Sequence, residues 1–330
     1  MPGRTGATRL PDRYIWTRLA ACHGASDNGR IMLTPSRLTL ARTRRGLTAA
    51  ELARKSGVPA RAIGEYERGL RRPKAAAVES LAGALGFPAE FLTAPEPPRP
   101  QNAPHDAQAT AAAQLAIEFN GWLDRLFVLP QPSLPPPRTS PQGTRDAWRL
   151  ATGPAPNMVQ LLESHGVRVF SLPVDCAEQE AFSCWHNGTP FLFLTPTATP
   201  EQARFDAAVQ LAVLLGHDEP HEFAAEFLMP QRQLPGTDHR HWHVGREQFT
   251  KWANVHSLVP GGMTRRETSK LLTKVFKVLR ENGTPPLHVA KELNLGLEEL
   301  NGLVFGLVLT ALPGGGEPGP RGRARLTLVH

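Results

Sequence analysis

The sequence has few of the residues that mark secreted or membrane proteins. Its 330 residues include only three cysteines, Cys22, Cys176 and Cys184. An odd number of cysteines without metal-like spacing predicts no disulfide framework and fits a reducing compartment. No apolar run reaches the length of about 18 residues that a membrane-spanning helix needs. We therefore expect a cytoplasmic protein without a membrane segment.

Both ends of the chain lack the pattern of a folded core. Residues 1–31 are basic but have no continuous apolar stretch, so they do not resemble a signal peptide. We expect them to be a disordered extension, or the product of a start codon assigned too early. The tail at 313–330 is rich in Gly, Pro and Arg and is predicted to be loose. The length between them allows two or three domains.

The positive charge is confined to one segment. The whole chain carries a net charge of +7. Residues 33–74 contain eleven Lys and Arg against three acids, whereas the rest of the chain contains 26 against 27. Such a local excess predicts a module that binds a polyanion.

Residues 32–93 carry the signals of a compact domain of four or five helices. Thr48, followed three residues later by Glu51, predicts a capping box at the start of a helix. The stretch GVP at 57–59 predicts a tight turn before a helix that begins near Ala60. Two short helices joined in this way form a helix-turn-helix, in which the second helix can enter the major groove of DNA by its N-terminal end.

This domain resembles the phage-repressor-like (XRE) helix-turn-helix family. The shared motifs are RRGLT at 44–48, ELA at 51–53 and YERG at 66–69. The resemblance implies that Arg61 and Glu65 read base edges next to Ala60. It also implies that further basic residues contact phosphates or flank the duplex: Arg42, Arg45, Arg68, Arg71, Arg72 and Lys74.

Three small residues depart from the family pattern. Ala49 and Ala50 follow the capping threonine where the family often has polar residues, and Gly64 has no side chain for base readout. Fewer base contacts favour selectivity through DNA shape. The alternative interpretation of the domain is a protein-interaction unit with a solvated basic face.

Beyond this domain, the pattern predicts a fold that is mainly α with a small α+β part. Residues 94–105 are a Pro-rich linker that cannot form regular helix. A helix is expected at 106–129, and a second Pro-rich break lies at 129–143. Helix and strand signals alternate from 144 to 230, with a hairpin that turns at Asn187-Gly188.

Residues 106–235 resemble the ImmA/IrrE-type zinc peptidases. The stretches RFDAA at 204–208 and FAAEFLMP at 223–230 match the family's lead-in to, and exit from, its zinc-binding helix. The resemblance implies a zincin-like α+β domain. A zincin also needs two histidines at i and i+4 for the metal, and a glutamate as general base for the metal-bound water.

Those residues are missing from this chain. Val209 and Val213 replace the histidines, Gln210 replaces the general base, and Glu219 remains as the relic of the acidic third ligand. The two valines at i and i+4 predict that the former metal face has joined the core. The resemblance therefore implies a peptidase-like domain without catalytic residues, cofactor or metal.

Two histidine-rich segments leave a new metal site as an alternative. HDEPH at 217–221 is interrupted by Pro220, so its histidines do not share a regular helical face. DHRHWH at 238–243 could align three histidines on an extended strand. We interpret both segments as polar loops, and Cys184 as a core residue rather than a nucleophile.

Residues 236–312 are predicted to be C-terminal helices for packing or dimerisation. The favoured function is a homodimeric transcriptional regulator that binds specific double-stranded DNA, a repressor of phage, prophage or mobile-element type. Its second part would sense a signal or build the dimer. The alternative is an antitoxin-like autoregulator that binds a protein partner through residues 106–330. The missing His-Glu-His motif argues against an active zinc metallopeptidase.

Overall fold

A computed structural model of the protein describes residues 32–150, 153–176, 178–230, 266–304 and Leu307. Most of these residues are helical. The first helices are α1 Pro35–Arg44, α2 Ala49–Ser56, α3 Ala60–Glu67, α4 Ala75–Leu85, α5 Ala89–Thr93, α6 Ala107–Leu126, α7 Pro141–Ala147 and α8 Met158–Ser164. The strands are β1 Arg168–Ser171, β2 Phe182–His186 and β3 Thr189–Leu194. The later helices are α9 Pro200–Leu214, α10 Pro220–Leu228, α11 Lys270–Glu281, α12 Pro286–Glu292 and α13 Leu297–Val304. This architecture confirms the predicted fold class.

The first five helices enclose a common apolar core. Leu38, Leu52, Ile63, Leu81 and Phe91 come one from each helix, and all are fully buried. Because each short helix buries only a stripe of side chains, the five stabilise one another mainly through this shared core.

The small sheet has the strand order β1-β3-β2. Strand β1 runs parallel to β3, and β2 runs antiparallel to β3. Asn187 and Gly188 both have positive φ, 48° and 76°, as a two-residue type I′ turn requires. The predicted hairpin is therefore present. Helix α9 packs against β2, β3 and α10.

The Pro-rich segment 94–105, here named the connector, forms no helix but is held along its length. At one end, Thr34 Oγ1 donates to the carbonyl oxygen of Ala94 at 2.6 Å, and Arg37 Nε donates to that of Pro95 at 2.6 Å. At the other, Gln101 and Trp185 exchange two backbone hydrogen bonds of 2.7 and 3.0 Å. The connector therefore runs from the first helix to the edge of the sheet.

Helices α8 and α11 are joined by two carboxylates, each of which accepts hydrogen bonds from the N-terminal end of the other helix. Glu163 of α8 accepts hydrogen bonds from Ser269 Oγ and from the backbone N–H of Leu271 at the start of α11. Glu267, just before α11, accepts from the backbone N–H of Met158 at 2.7 Å, at the start of α8. Each carboxylate satisfies donors that a helix N-terminus leaves unpaired.

Several sequence predictions concern residues outside the described ranges. These are the N-terminal extension 1–31, the histidine-rich segment 238–243 and the tail 313–330. Among the residues that the structure does describe, no helix is both long and apolar enough to cross a bilayer.

Candidate functional site

The second and third helices have the geometry that the sequence predicts. Thr48 accepts a hydrogen bond from the backbone N–H of Glu51, and the Glu51 carboxylate accepts one from that of Thr48, which completes the capping box. Gly57 ends α2 in the left-handed conformation, at φ 71°. Ile63 and Tyr66 bury the inner side of α3. Its N-terminal end is left exposed to solvent at Ala60.

Basic side chains surround the exposed side of α3. The Arg61 side chain is 91% exposed. Its Nε lies 3.0 Å from the carboxylate of Glu65, which also lies 3.6 Å from Nη1 of Arg71. The other exposed basic residues of this surface are Arg68, Arg72 and Lys74. We name this set, Arg61, Arg68, Arg71, Arg72 and Lys74, the basic face.

Arg42 and Arg45, which the resemblance placed with the DNA contacts, are engaged within the protein. Arg42 forms two hydrogen bonds with Glu67, at 2.7 and 3.1 Å. Arg45 lies over the ring of Phe87, and its Nε donates to the carbonyl oxygen of Leu85 at 2.6 Å. These contacts occupy both guanidinium groups within the free protein, whereas the basic face lies around the exposed side of α3.

The position of Arg45 also separates it from the basic face. Leu85 is the last residue of α4, whereas Lys74 caps the first turn of that helix. A helix of this length measures about 16 Å, at 1.5 Å per residue. The Arg45 guanidinium is therefore bound about one helix length away from Lys74.

Gln210 of α9, which the resemblance aligns with the family's general base, makes a structural contact. Gln210 Nε2 donates to the carbonyl oxygen of Ala181 at 2.9 Å, and Ser183 Oγ donates to Gln210 Oε1 at 3.0 Å. A glutamine can do both because its amide both donates and accepts. Gln210 therefore joins α9 to the chain that enters β2.

The prediction that Val209 and Val213 both lie in the core is wrong for Val213. Val209 is 7% exposed, but Val213 is 44% exposed. The i, i+4 spacing places both side chains in one row along α9. The neighbouring elements cover only the N-terminal part of that row, so its end remains open to solvent. Glu219 precedes α10 and is also exposed.

Comparison with known families agrees with both parts of this architecture. Residues 38–92 match the family model described as Helix-turn-helix. Residues 162–258 match the model of the IrrE N-terminal-like domain. The chain thus joins a helix-turn-helix domain to an IrrE-like domain. This combination confirms the predicted fusion. No curated protein and no solved structure matched the chain.

The histidines of the IrrE-like domain that the structure describes make separate contacts. His217 Nε2 lies 2.9 Å from the carbonyl oxygen of Thr139, and its ring lies 4.5 Å from that of Phe223. The ring of His221 lies 6.1 Å from that of Phe205. Within the described ranges, no three His, Cys, Asp or Glu residues are grouped closely enough to hold a metal ion.

Cys184 is buried in the hairpin, whereas Cys176 is buried beside Asp175 and Arg44. Burial raises the pKa of the Cys184 thiol to about 12. Burial is also the main reason why the pKa of Cys176 is raised to about 12. Because the thiolate is the nucleophile, thiols with such a pKa are inert at neutral pH. Cys184 is therefore a core residue, as its neighbours in the hairpin predict.

No pattern in the sequence predicts two buried ionic clusters. In one, Glu299 of α13 pairs with Arg44, the last residue of α1, and with Arg45, which follows it. In the other, Arg204 of α9 pairs with Glu267. Both join residues far apart in the chain, and spacing within a helix carries no information about such partners. In the sequence, Arg44 and Arg204 are noticeable only as members of the motifs RRGLT and RFDAA.

Proposed function

We propose that the protein is a sequence-specific transcriptional regulator that represses its targets by binding double-stranded DNA. The observation that carries this proposal is the exposed N-terminal end of α3 inside the basic face. A helix end of this width fits the major groove, and the flanking cations can contact the phosphates on either side. A phage, prophage or mobile-element origin is part of the same proposal.

Within this interface, we assign base readout to Arg61 and Glu65. Arginine can donate two hydrogen bonds to guanine, and glutamate can accept one from cytosine. In the free protein these side chains pair with each other at 3.0 Å. An exposed pair of this kind contributes no more than about 1 kcal/mol, so DNA can compete with it. Arg68, Arg71, Arg72 and Lys74 would contact phosphates.

We infer that the IrrE-like domain has no peptidase activity. Val209, Gln210 and Val213 offer neither a metal ligand nor a general base. Gln210 is also committed to Ala181 and Ser183. The domain would serve as a sensor or dimerisation module. A homodimer is part of the proposal because a single helix-turn-helix module covers little DNA, whereas two modules can bind paired half-sites.

A second candidate function is an antitoxin-like autoregulator that binds a protein partner through residues 106–330. Exposed apolar side chains in this part of the chain favour it. Val128, Val174 and Leu287 are all exposed to solvent. Capture of a defined protein partner by the full chain, together with binding to its own promoter, would support this alternative over a plain repressor.

The test is a mobility-shift titration of the full chain with a random-sequence duplex at several salt concentrations. We expect the wild type to bind at low salt. The double substitution R71A/R72A should weaken binding and reduce the salt slope by about two, because each lost phosphate contact removes about one released counterion. Compared with R71A/R72A, R61A should weaken binding to random-sequence DNA less and binding to selected sequences more.

Arg125→Ala is the matched control, since Arg125 is exposed near the end of α6 and lies outside the basic face. Its salt slope should equal that of the wild type. A wild type that fails to bind at low salt would contradict DNA binding altogether. Equal slopes for R71A/R72A and R125A would contradict the assignment of the interface.

A further inference from the structure

Three distant parts of the chain meet at one buried cluster of charges. Glu299 of α13 accepts hydrogen bonds from Arg44 Nε, at 2.9 Å, and from Arg45 Nη1. Arg44 Nη1 also lies 2.7 Å from the carboxylate of Asp175, which follows β1. We name these four residues the Glu299 node. It links the helix-turn-helix domain to both the IrrE-like domain and the C-terminal helices.

The node is shielded from water at its centre. The side chains of Glu299 and Arg44 are only 5% and 3% exposed. A carboxylate in such a position depends on its cationic partners, because taking a charge out of water costs several kcal/mol. The Glu299–Arg44 pair is therefore unlike surface ion pairs, which side-chain motion and salt readily break.

Helix α1 is tied to the rest of the molecule at both ends. At its C-terminal end, Arg44 and Arg45 bind Glu299. Near its N-terminal end, Arg37 donates to the connector at Pro95 and pairs with Glu118 of α6. Helix α1 also packs against α3, whose outer side belongs to the basic face. A change in the position or mobility of α3 can therefore be passed to α1 and, through the node, to α13.

The node lies away from the basic face. Arg45 is bound at the C-terminal end of α4, whereas Lys74 of the basic face stands at the N-terminal end of that helix. Docking through Glu299 therefore leaves the basic face open to solvent. The docked arrangement is compatible with bound DNA, which distinguishes this contact from one that masks the interface.

We propose that Glu299 is a positioning residue that docks the helix-turn-helix domain on the C-terminal helices and couples DNA binding at α3 to the order of α13. The proposal rests on the DNA-binding function proposed above. When DNA immobilises α3, α1 loses freedom and the node tightens. By reciprocity, a signal that alters α13 changes the affinity for DNA.

The test is amide hydrogen exchange of the full chain, with and without a random-sequence duplex at low salt. In the wild type, DNA should slow exchange in α3 and also in α13. A slowing of about fivefold in α13 corresponds to the lower end of usual allosteric coupling. In E299Q, DNA should still slow exchange in α3 but no longer in α13. A residue that only stabilised the fold would not separate these two responses.

Glu298→Gln is the matched control, since Glu298 is the exposed neighbour of Glu299 in α13. It should behave as the wild type does. If E299Q does not fold, Asp175→Asn provides the milder change, because Asp175 is 49% exposed and leaves Glu299 in place. It should reduce the response of α13 to DNA.

Two outcomes separate this proposal from the one on which it rests. Slowed exchange in α3 without any change in α13 of the wild type would overturn the coupling and leave DNA binding intact. The coupling would also be overturned if E299Q kept the full response of α13. If DNA did not slow hydrogen exchange in α3 of the wild type, this would contradict DNA binding and therefore also the coupling.

Discussion

At the scale of single residues, this protein uses arginine in two opposite ways. Arg61 is almost fully exposed, as expected for a side chain that meets DNA. Arg44, Arg145 and Arg204 are almost fully buried and donate to carboxylates or backbone carbonyls inside the protein. The net charge of a segment counts both kinds alike. Only the exposed kind contributes to a surface that attracts a polyanion.

Glu163 gives a prediction for the pH dependence of stability. Burial raises the pKa of its carboxyl from 4.5 to about 7, although Ser269 and the N-terminus of α11 partly offset this. Between these two values the folded protein holds a proton that the unfolded chain has released. The free energy of unfolding should therefore fall as pH rises from about 4.5 to about 7, by up to about 3 kcal/mol from this group.

Glu163→Gln imitates the protonated carboxyl and should remove that part of the slope. Denaturant unfolding at several pH values measures it, and E226Q, at an exposed position of α10, provides the control. E163Q should gain stability relative to the wild type as pH rises towards 7. Parallel profiles for wild type and E163Q would contradict the raised pKa.

At the scale of elements, α9 is held by contacts along its length. Arg204 anchors it by donating to the carbonyl oxygens of Pro156, at 2.9 Å, and Ala155, at 2.5 Å, and by pairing with Glu267. Gln210, six residues further along the helix, hydrogen-bonds to the segment before β2. The helix is therefore held at fixed positions on both sides.

This setting predicts that two substitutions can restore a metal site. V209H/V213H places two imidazoles at i and i+4 of α9, with Glu219 at the start of α10 as third ligand. Metal analysis of untagged protein should find about one zinc per chain in this variant, and none in the wild type.

The triple variant V209H/V213H/E219A is the control and should lose most of that zinc. The free energy of unfolding of V209H/V213H should increase when zinc is added, since metal that binds only the folded state stabilises it. Stoichiometric zinc in the wild type would contradict the absence of a metal site. Zinc bound equally by the triple variant would contradict the role of Glu219.

At the scale of the whole molecule, the chain is held together by contacts between segments that are far apart in the sequence. The connector joins α1 to the edge of β2. The Glu299 node joins α1 to α13. These links constrain the helix-turn-helix domain from two sides. The connector is therefore bound to the rest of the protein and is not a flexible linker.

The connector gives a prediction about proteolysis. The backbone N–H of Gln101 donates to the carbonyl oxygen of Trp185, and proline lacks this donor. Q101P should therefore release the connector from the sheet and accelerate its cleavage by a non-specific protease. The loss of this hydrogen bond should cost about 1 kcal/mol of unfolding free energy.

Gln101→Ala keeps the backbone donor and serves as the control. Its connector should be cleaved at the rate of the wild type. Equal cleavage of Q101P and Q101A would mean that the pairing with Trp185 does not hold the connector in solution.

Local signals in the sequence predicted most of the elements and both domain types. The capping box at Thr48, the left-handed glycines and the Asn187-Gly188 turn depend on residues close together in the chain. Features that depend on neighbours far away in the chain are not predicted in this way. Val213 belongs to an apolar row that is only partly covered, and Arg45 belongs to a family motif but faces Glu299.

The sequence by itself determined the helix-turn-helix and the hairpin, because residue type, short-range spacing and recognisable motifs carry both of these. Only the tertiary structure decided which arginines remain available to DNA and which dock the domain. Glu299 lies more than 250 positions away from Arg44 and Arg45. A carboxylate at that distance selects its partners by where the folded helices meet, which no periodicity in the sequence encodes.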